Sequence, residues 1–347
     1  MAEKPSSKRM LITGGAGFIG SNFVQQMAAD HPDWHLVVLD KLTYAGNLNN
    51  FPAGFWDDQN ARFIQGDICD AAAVAIAMAG CHYVVHFAAE THVDRSIRDA
   101  GSFIETDVKG TWVMLEQARK EAQLERFVHI STDEVYGEAP GRPNVEGDDL
   151  KPKSPYAASK AGADRLVYSY FTTYHLPIVI SRCSNNFGPC QYPEKLIPLF
   201  VTNALENKPL PIYGDGKNTR DWIYVTDHCR AIEQLLLAPG VMGEVFNVSA
   251  ATEHSVLEIT AAVLEILGKP NDLVTFVQDR PGHVERHAVS AVKLYERTGW
   301  TPDRDFRVAL ADTIAWYQEN EAWWREVKEK NADYAAWMTK QYGAVAQ

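Results

Sequence analysis

Cysteine is scarce in this sequence: five in 347 residues, at positions 69, 81, 183, 190 and 229, with no C-x-x-C pair. An odd count at irregular spacing predicts neither a disulfide framework nor a zinc site, so no metal is expected; buried thiols in a reducing compartment are the plain reading. Positive charge is also short. Against 45 Asp and Glu stand 33 Lys and Arg, a net charge of -12, which argues against general affinity for nucleic acid or an anionic membrane. A small anionic ligand is not excluded, since it needs only local cations. Long apolar runs are missing, and none reaches membrane-spanning length. The basic opening MAEKPSSKRM leads only into a short apolar stretch and then glycines, unlike a signal peptide. No internal repeat, low-complexity tract or sustained heptad occurs. A soluble, cytoplasmic protein is the expectation.

What is present is a core. Hydrophobic residues make up 46% of the chain, and the length is too great for one typical domain, so about two are expected. Short β-branched or aromatic runs at 9–13, 36–40, 62–65, 83–87, 127–131 and 178–182 read as strands buried on both faces. Helical stretches at 18–29, 71–79, 103–122 and 156–174 lie between them. This alternation predicts an α/β fold with a doubly wound, parallel, Rossmann-type sheet. Near residue 184 the pattern changes to SNNFGPCQYPEKLIP, rich in turn formers, and beyond it to Gly- and Pro-containing loops with helices near 226–237, 255–267 and 306–329. That part reads as a smaller α/β lobe, with the aromatics of the last helix packing it.

LITGGAGFIGSNFV sets Gly14, Gly17 and Gly20 between a strand and a helix, with Phe18 and Ile19 opening that helix. Glycines let the turn close and let a pyrophosphate approach backbone at a helix N-terminus. Asp40 ends the second strand, twenty residues past Gly20, where a carboxylate can take the adenosine ribose hydroxyls and favour NAD over NADP. Lys41 beside it weakens that preference. Asp67 and Ile68 after the third strand can cover the adenine, and HFAAETH, with Phe87, Ala88 and Ala89, can lay backbone against the cofactor after the fourth.

SPYAASKAGADRL carries Tyr156 and Lys160 at i, i+4, on one face of a helix. A phenol is a poor base at neutral pH. Lowering its pKa by roughly three units takes about 4 kcal/mol, which a lysine ammonium and an oxidised nicotinamide can supply in a dry cleft. In HISTDEVYGE, Asp133 and Glu134 follow a strand and the pair Ser131-Thr132. Two neighbouring carboxylates do not both ionise cheaply, so one tends to stay protonated. An acid beside a base is what an elimination needs.

Together with LDKLTYAGN, FAAETHVDRSI, SNNFGPCQYPEKLIP, PIYGDGKNTRDWIYVTDH and DRPGH, these motifs resemble the extended short-chain dehydrogenase/reductase superfamily, and within it the dTDP-glucose 4,6-dehydratase family, from about residue 8 to about residue 325. The resemblance implies NAD, tightly bound and regenerated each turnover, and a lyase of deoxysugar biosynthesis. Tyr156 takes the proton from the sugar O4 while C4 is oxidised, and Thr132 polarises O4. Glu134 removes the C5 proton, Asp133 protonates the departing C6 hydroxyl, and hydride returns to C6. It further implies Leu42, Thr43, Thr91, Thr106 and Asn186 near the cofactor. Thr91, Asn185, Lys195, Leu196, Pro211, Ile212, Tyr213, Arg220, Asn247, Arg280 and His283 are implied at the substrate, with Arg220 gripping the diphosphate. Residues 1–185 form the NAD-binding domain, part of 221–250 returning to it, and 186–347 the sugar-nucleotide lobe. A homodimer through a four-helix bundle follows, with Val108, Trp112 and Leu115 on one helix and Leu166 and Tyr170 on the other as candidates; packing onto their own sheet is the alternative use of those side chains.

The sequence departs from the family in places. Val284-Glu285-Arg286-His287-Ala288 replaces D-R-R-Y-A, NVSAATEH replaces a glycine-rich stretch, and Asp107 stands where asparagine is common. These put the nucleobase in question, with UDP-glucose as the alternative substrate. Epimerases and decarboxylases of the superfamily share Tyr–Lys but usually lack the acid pair. A non-catalytic NAD sensor, the remaining alternative, is expected to lack Tyr156 or Lys160.

Overall fold

The computed structural model describes residues 7–330 and 332–343. Its strands are β1 (Arg9–Thr13), β2 (His35–Asp40), β3 (Ala61–Gln65), β4 (Tyr83–His86), β5 (Arg126–Thr132), β6 (Ile178–Cys183), β7 (Asn185–Phe187), β8 (Leu210–Tyr213), β9 (Thr219–Tyr224), β10 (Val245–Val248), β11 (Glu253–Ser255), β12 (Val274–Val277) and β13 (Arg286–His287). Seven form one sheet in the order β10-β6-β5-β4-β1-β2-β3, with every pair parallel. Helices cover both faces, so β1, β4, β5 and β6 are buried along almost their whole length, with most of their polar residues gathered toward their ends. The strand order reverses between β1 and β4, and the crevice at the strand ends opens there.

The sheet's last strand, β10, arrives more than sixty residues after β6, its neighbour. The Val225–Leu237 helix returns with it, packing Val225, Cys229, Ile232 and Leu236 among Met10, Ile12 and Val24. The remaining strands make two small sheets: β11, β9 and β13, with β7 also on β9, and the pair β12–β8. Phe187, Trp222, Ile259, Ile314, Tyr317 and Trp324 fill the core beside them.

Two predicted helices are not continuous. The stretch expected at 103–122 is Ala100–Phe103, then a π-helical segment, Ile104–Gly110, then Thr111–Ala118. Gly110 sits where a Cβ would lie 2.5 Å from Ile68 Cδ1. The helix expected at 306–329 breaks at Asn320, whose φ of -110° and ψ of 40° leave the helical region; its side chain bonds the Trp316 carbonyl at 2.9 Å. A further helix, Ala332–Tyr342, packs Tyr334, Trp337 and Met338 against Tyr192 and Leu199.

Candidate active site

A cavity of about 310 Å³ runs along the strand ends from the glycine loop to Lys195. Its floor is set by backbone constraint. Gly14 has φ +67°, and a Cβ there would lie 2.6 Å from Ala88 N; at Gly20 it would lie 2.3 Å from Gly14 O. Only glycine allows these approaches. Gly17 caps the Phe18–Asp30 helix with no side-chain hydrogen bond, so its first amides face the cavity. Asp40 stitches the loop: its Oδ2 accepts the Ala16 amide at 2.9 Å and its Oδ1 the Leu42 amide at 2.8 Å. Lys41 pairs with Asp67 at 2.7 Å across the mouth. A glycine floor, a free helix N-terminus and a carboxylate at the end of β2 fit a dinucleotide.

Every residue expected at the cofactor lines this cavity except Leu42. Leu42 turns away because its amide is held by Asp40 at a φ of 55°. Glu90, Tyr44, Gln191, Tyr192 and Glu194 line the cavity without having been singled out. All five lie within motifs quoted above, Tyr44 in LDKLTYAGN, Glu90 in FAAETHVDRSI and the other three in SNNFGPCQYPEKLIP.

Thr132, Asp133, Glu134, Tyr156 and Lys160 meet at the sheet-end wall of the same cavity. Thr132 caps the short helix Asp133–Tyr136, its Oγ1 accepting the Glu134 amide at 3.3 Å. Asp133 is 2% exposed, and its Oδ2 has no partner. Burial first, then the charges of Glu134 and Asp221, push its carboxyl well above the usual range. Burial raises Glu134 too, but Arg280, Arg220 and Lys195 face it and oppose the rise. The adjacent acids therefore differ in balance: around Asp133 the anions Glu134 and Asp221 outweigh Arg220, and around Glu134 three cations outweigh Asp94, though burial raises both.

Tyr156 and Lys160 are both buried on the Pro155–Tyr174 helix. Burial and Glu134 push the phenol well above its ordinary value. Lys160 Nζ donates to the Ile130 carbonyl at 2.7 Å, and burial lowers its proton affinity against the pull of Asp107. A phenolate here needs a cation beyond those of the chain, which is the charge an oxidised nicotinamide carries.

The expected substrate residues divide. Thr91, Thr132, Asn185 and Lys195 line the cavity, and Lys195 Nζ donates to the Thr91 carbonyl at 2.8 Å. Arg280 faces Glu134 while paired with Asp94 at 2.9 Å. Tyr213 and His283 stand next to each other, ring centroids 6.3 Å apart. Arg220 also faces Glu134, but its guanidinium donates to the carbonyls of Thr219, Val284 and Glu285 rather than standing free. Leu196, Pro211 and Ile212 lie off the cavity wall, Ile212 wholly buried in β8. Asn247 is also away from the wall: fully buried in β10, it accepts from the Tyr136 hydroxyl at 2.8 Å and donates to Asn144. Arg286 makes a two-pronged pair with Glu253 and serves the β9–β13 sheet.

The far wall includes a contact no motif announced. Arg95 holds Glu194 at 2.8 Å and lies between the rings of Tyr44 and Trp337, 4.0 and 4.6 Å from their centroids. Gln341 bonds the Tyr213 hydroxyl, and the Tyr342 ring stacks on Tyr213 at 5.8 Å. The last helix thus reaches Tyr213 and Asp94, more than a hundred residues away in sequence, where spacing carries no signal.

A doubly wound parallel sheet, a glycine floor and a buried Tyr–Lys helix define the extended short-chain dehydrogenase/reductases. The GDP-mannose 4,6 dehydratase family model matches residues 11–313. A dTDP-glucose 4,6-dehydratase of Streptomyces niveus is 47% identical over 324 residues, 92% of this chain and 96% of that one. The crystal structure of DesIV, a dTDP-glucose 4,6-dehydratase from Streptomyces venezuelae with NAD and TYD bound, is 47% identical and superposes with a TM-score of 0.89, covering 92% of this chain and 100% of that one. A UDP-glucose 4-epimerase of Thermus thermophilus in complex with NAD shares the fold at a TM-score of 0.82 but only 32% identity, over 90% of this chain and 99% of that one. The chain belongs to the dTDP-glucose 4,6-dehydratase family.

Proposed function

We propose that this protein is an NAD-dependent lyase that removes water from dTDP-glucose to give the 4-keto-6-deoxy sugar. Bound NAD supplies a hydride acceptor for C4 and later the hydride for C6, together with the positive charge that the phenolate requires. The glycine floor and Asp40 would hold it, with the Lys41–Asp67 pair at the rim. Tyr156 takes the O4 proton, and Thr132 orients O4. The 4-ketone acidifies C5; Glu134, kept ionisable by Arg220, Arg280 and Lys195, accepts that proton. Asp133, held neutral by burial and its anionic neighbours, gives its proton to the C6 hydroxyl, which leaves as water. As C6 takes the hydride, Glu134 returns its proton to C5, and the O4 proton taken by Tyr156 restores Asp133 through solvent.

The observation that carries this reading is the unequal environment of two adjacent acids on the wall that holds the Tyr–Lys pair. An epimerase has no C6 leaving group to protonate. Offering dTDP-glucose and UDP-glucose to the purified protein tests it. A product lighter by one water, without accumulated NADH, is expected from the thymidine sugar; unchanged mass with altered configuration overturns it.

The finer expectations belong to the same reading. Residues 1–185 with the returning 221–250 segment serve NAD, and 186–347 serve the nucleotide sugar; the return of β10 to the large sheet supports this division. A homodimer is supported by Trp112, Ile104 and Tyr168, which stand exposed on the helices of the expected bundle. Leu115 and Tyr170 instead pack inward beneath the sheet. A cytoplasmic site agrees with five free cysteines; among the described residues no helix is long and apolar enough to cross a membrane.

A further inference from the structure

The mechanism leaves several buried acids unused, Asp107 among them. Asp107 is 1% exposed and sits in the π-helical segment behind the Tyr–Lys helix. Its Oδ1 accepts the Glu90 amide at 2.8 Å, and its Oδ2 accepts the Ser159 hydroxyl at 2.6 Å. The same Ser159 oxygen lies 2.8 Å from the Tyr156 carbonyl. Ser159 is therefore a rotor with two acceptors. When Asp107 is ionised, Ser159 donates to it. When Asp107 is protonated, its own O–H can point at Ser159 Oγ, while the serine hydrogen turns to the Tyr156 carbonyl and the Glu90 amide keeps Oδ1. Both protonation states are fully hydrogen-bonded.

The groups facing Asp107 are Tyr156, Ser159 and Lys160 from the Pro155–Tyr174 helix and Glu90 from the segment after β4. Behind Lys160 stand His86 on β4 and His129 on β5, both kept neutral by burial, and Asp164 and Cys183 also act on its charge. We propose that Asp107 is a positioning residue that changes protonation without losing a hydrogen bond, and that its charge sets the proton affinity of Lys160 and Tyr156. The proton comes from solvent and returns to it. The inference deepens the reading of the Tyr–Lys site and rests on it. Asparagine here would fix the neutral state: its carbonyl can take the Glu90 amide and its NH2 can donate to Ser159. Aspartate makes the site titratable, and burial lifts its carboxyl to about 6 while Lys160 opposes the rise.

The test is Asp107→Asn, whose hydrogen bonds match those of the neutral acid and so preserve the fold. In wild-type protein at alkaline pH, ionised Asp107 helps Lys160 keep its proton. The variant's alkaline limb of kcat/KM against pH is expected to move down by about half a unit or more, with the acid limb, where Asp107 is already neutral, in place. Infrared difference titration reads the acid directly and needs no turnover. The band of a protonated carboxyl is expected to grow as pH falls through about 6 and to lose one group's intensity in the variant; Asp221, also raised to about 6, supplies the remainder. An unmoved alkaline limb, a uniform fall in rate at every pH, or an undiminished band overturns the proposal. Failure to dehydrate dTDP-glucose at all sinks the reading of function instead, and the infrared result then stands alone.

Discussion

Asp133 and Glu134 share a peptide bond but not an environment, and that difference divides their chemistry. Asp133→Asn keeps the volume and removes the donatable proton. Oxidation at C4 should survive, seen as a transient nicotinamide absorbance on mixing with substrate, while water loss followed by mass falls about 10²- to 10⁴-fold, the usual worth of a general acid. Loss of the absorbance transient as well would reassign Asp133. Asp107 also illustrates a residue-scale cost. An acid whose folded pKa lies above its unfolded value stabilises the fold only below the unfolded value, and loses that contribution as pH rises through the folded one. With Asp107 moved from 3.8 to about 6, the cost at neutral pH is roughly 3 kcal/mol at 1.36 kcal/mol per unit. Asp107→Asn should accordingly raise Tm at pH 8 and leave it unchanged near pH 4, by calorimetry at both.

At the scale of elements, the glycine turn is the strictest. Gly14→Ala places a methyl 2.6 Å from Ala88 N in a left-handed conformation at φ +67°. Strain of about 1–2 kcal/mol precedes any contact with a cofactor, and the backbone clash adds to it. The variant should bind NAD at least tenfold more weakly by calorimetric titration; wild-type affinity would mean that the turn relaxes. This turn, the parallel strands and the Tyr–Lys face were legible in the sequence because each is local: three to five residues carry both pattern and reason. The π-helical turn was not, because Asp107 reaches Glu90 and Ser159 across other elements. Nor was the break at Asn320, which lies inside a tryptophan-containing stretch, between Trp316 and Trp323, that reads as one helix. Asn247 shows the opposite failure. A motif implied a ligand contact, but pairing of β10 with β6 turns that residue toward Tyr136.

Across the whole molecule, several histidines are buried and neutral. Burial drives His86 and His228 down to about 3, and His92, His129 and His287 well below the usual value. A base whose folded pKa is depressed contributes stability above its unfolded value and loses it as pH falls below. Below about pH 6.5, each such imidazole removes up to about 1.4 kcal/mol per pH unit, because the unfolded chain takes up protons that the folded one refuses. Asp107 and Asp221, both raised to about 6, act in the opposite direction over this range. Thermal melts should therefore show a net fall in Tm between pH 6 and 4.5 that steepens in Asp107→Asn; a Tm that rises in both proteins would mean these rings accept protons in place.

The late arrival of β10 has a consequence for synthesis on the ribosome. β6 ends at Cys183, and the strand that covers its open edge ends at Val248. Translation at about 5–20 residues per second leaves that edge bare for roughly 3–13 s. During that interval the nascent chain presents an unpaired, apolar strand edge, the form of surface that invites pairing with another chain or shelter by a chaperone.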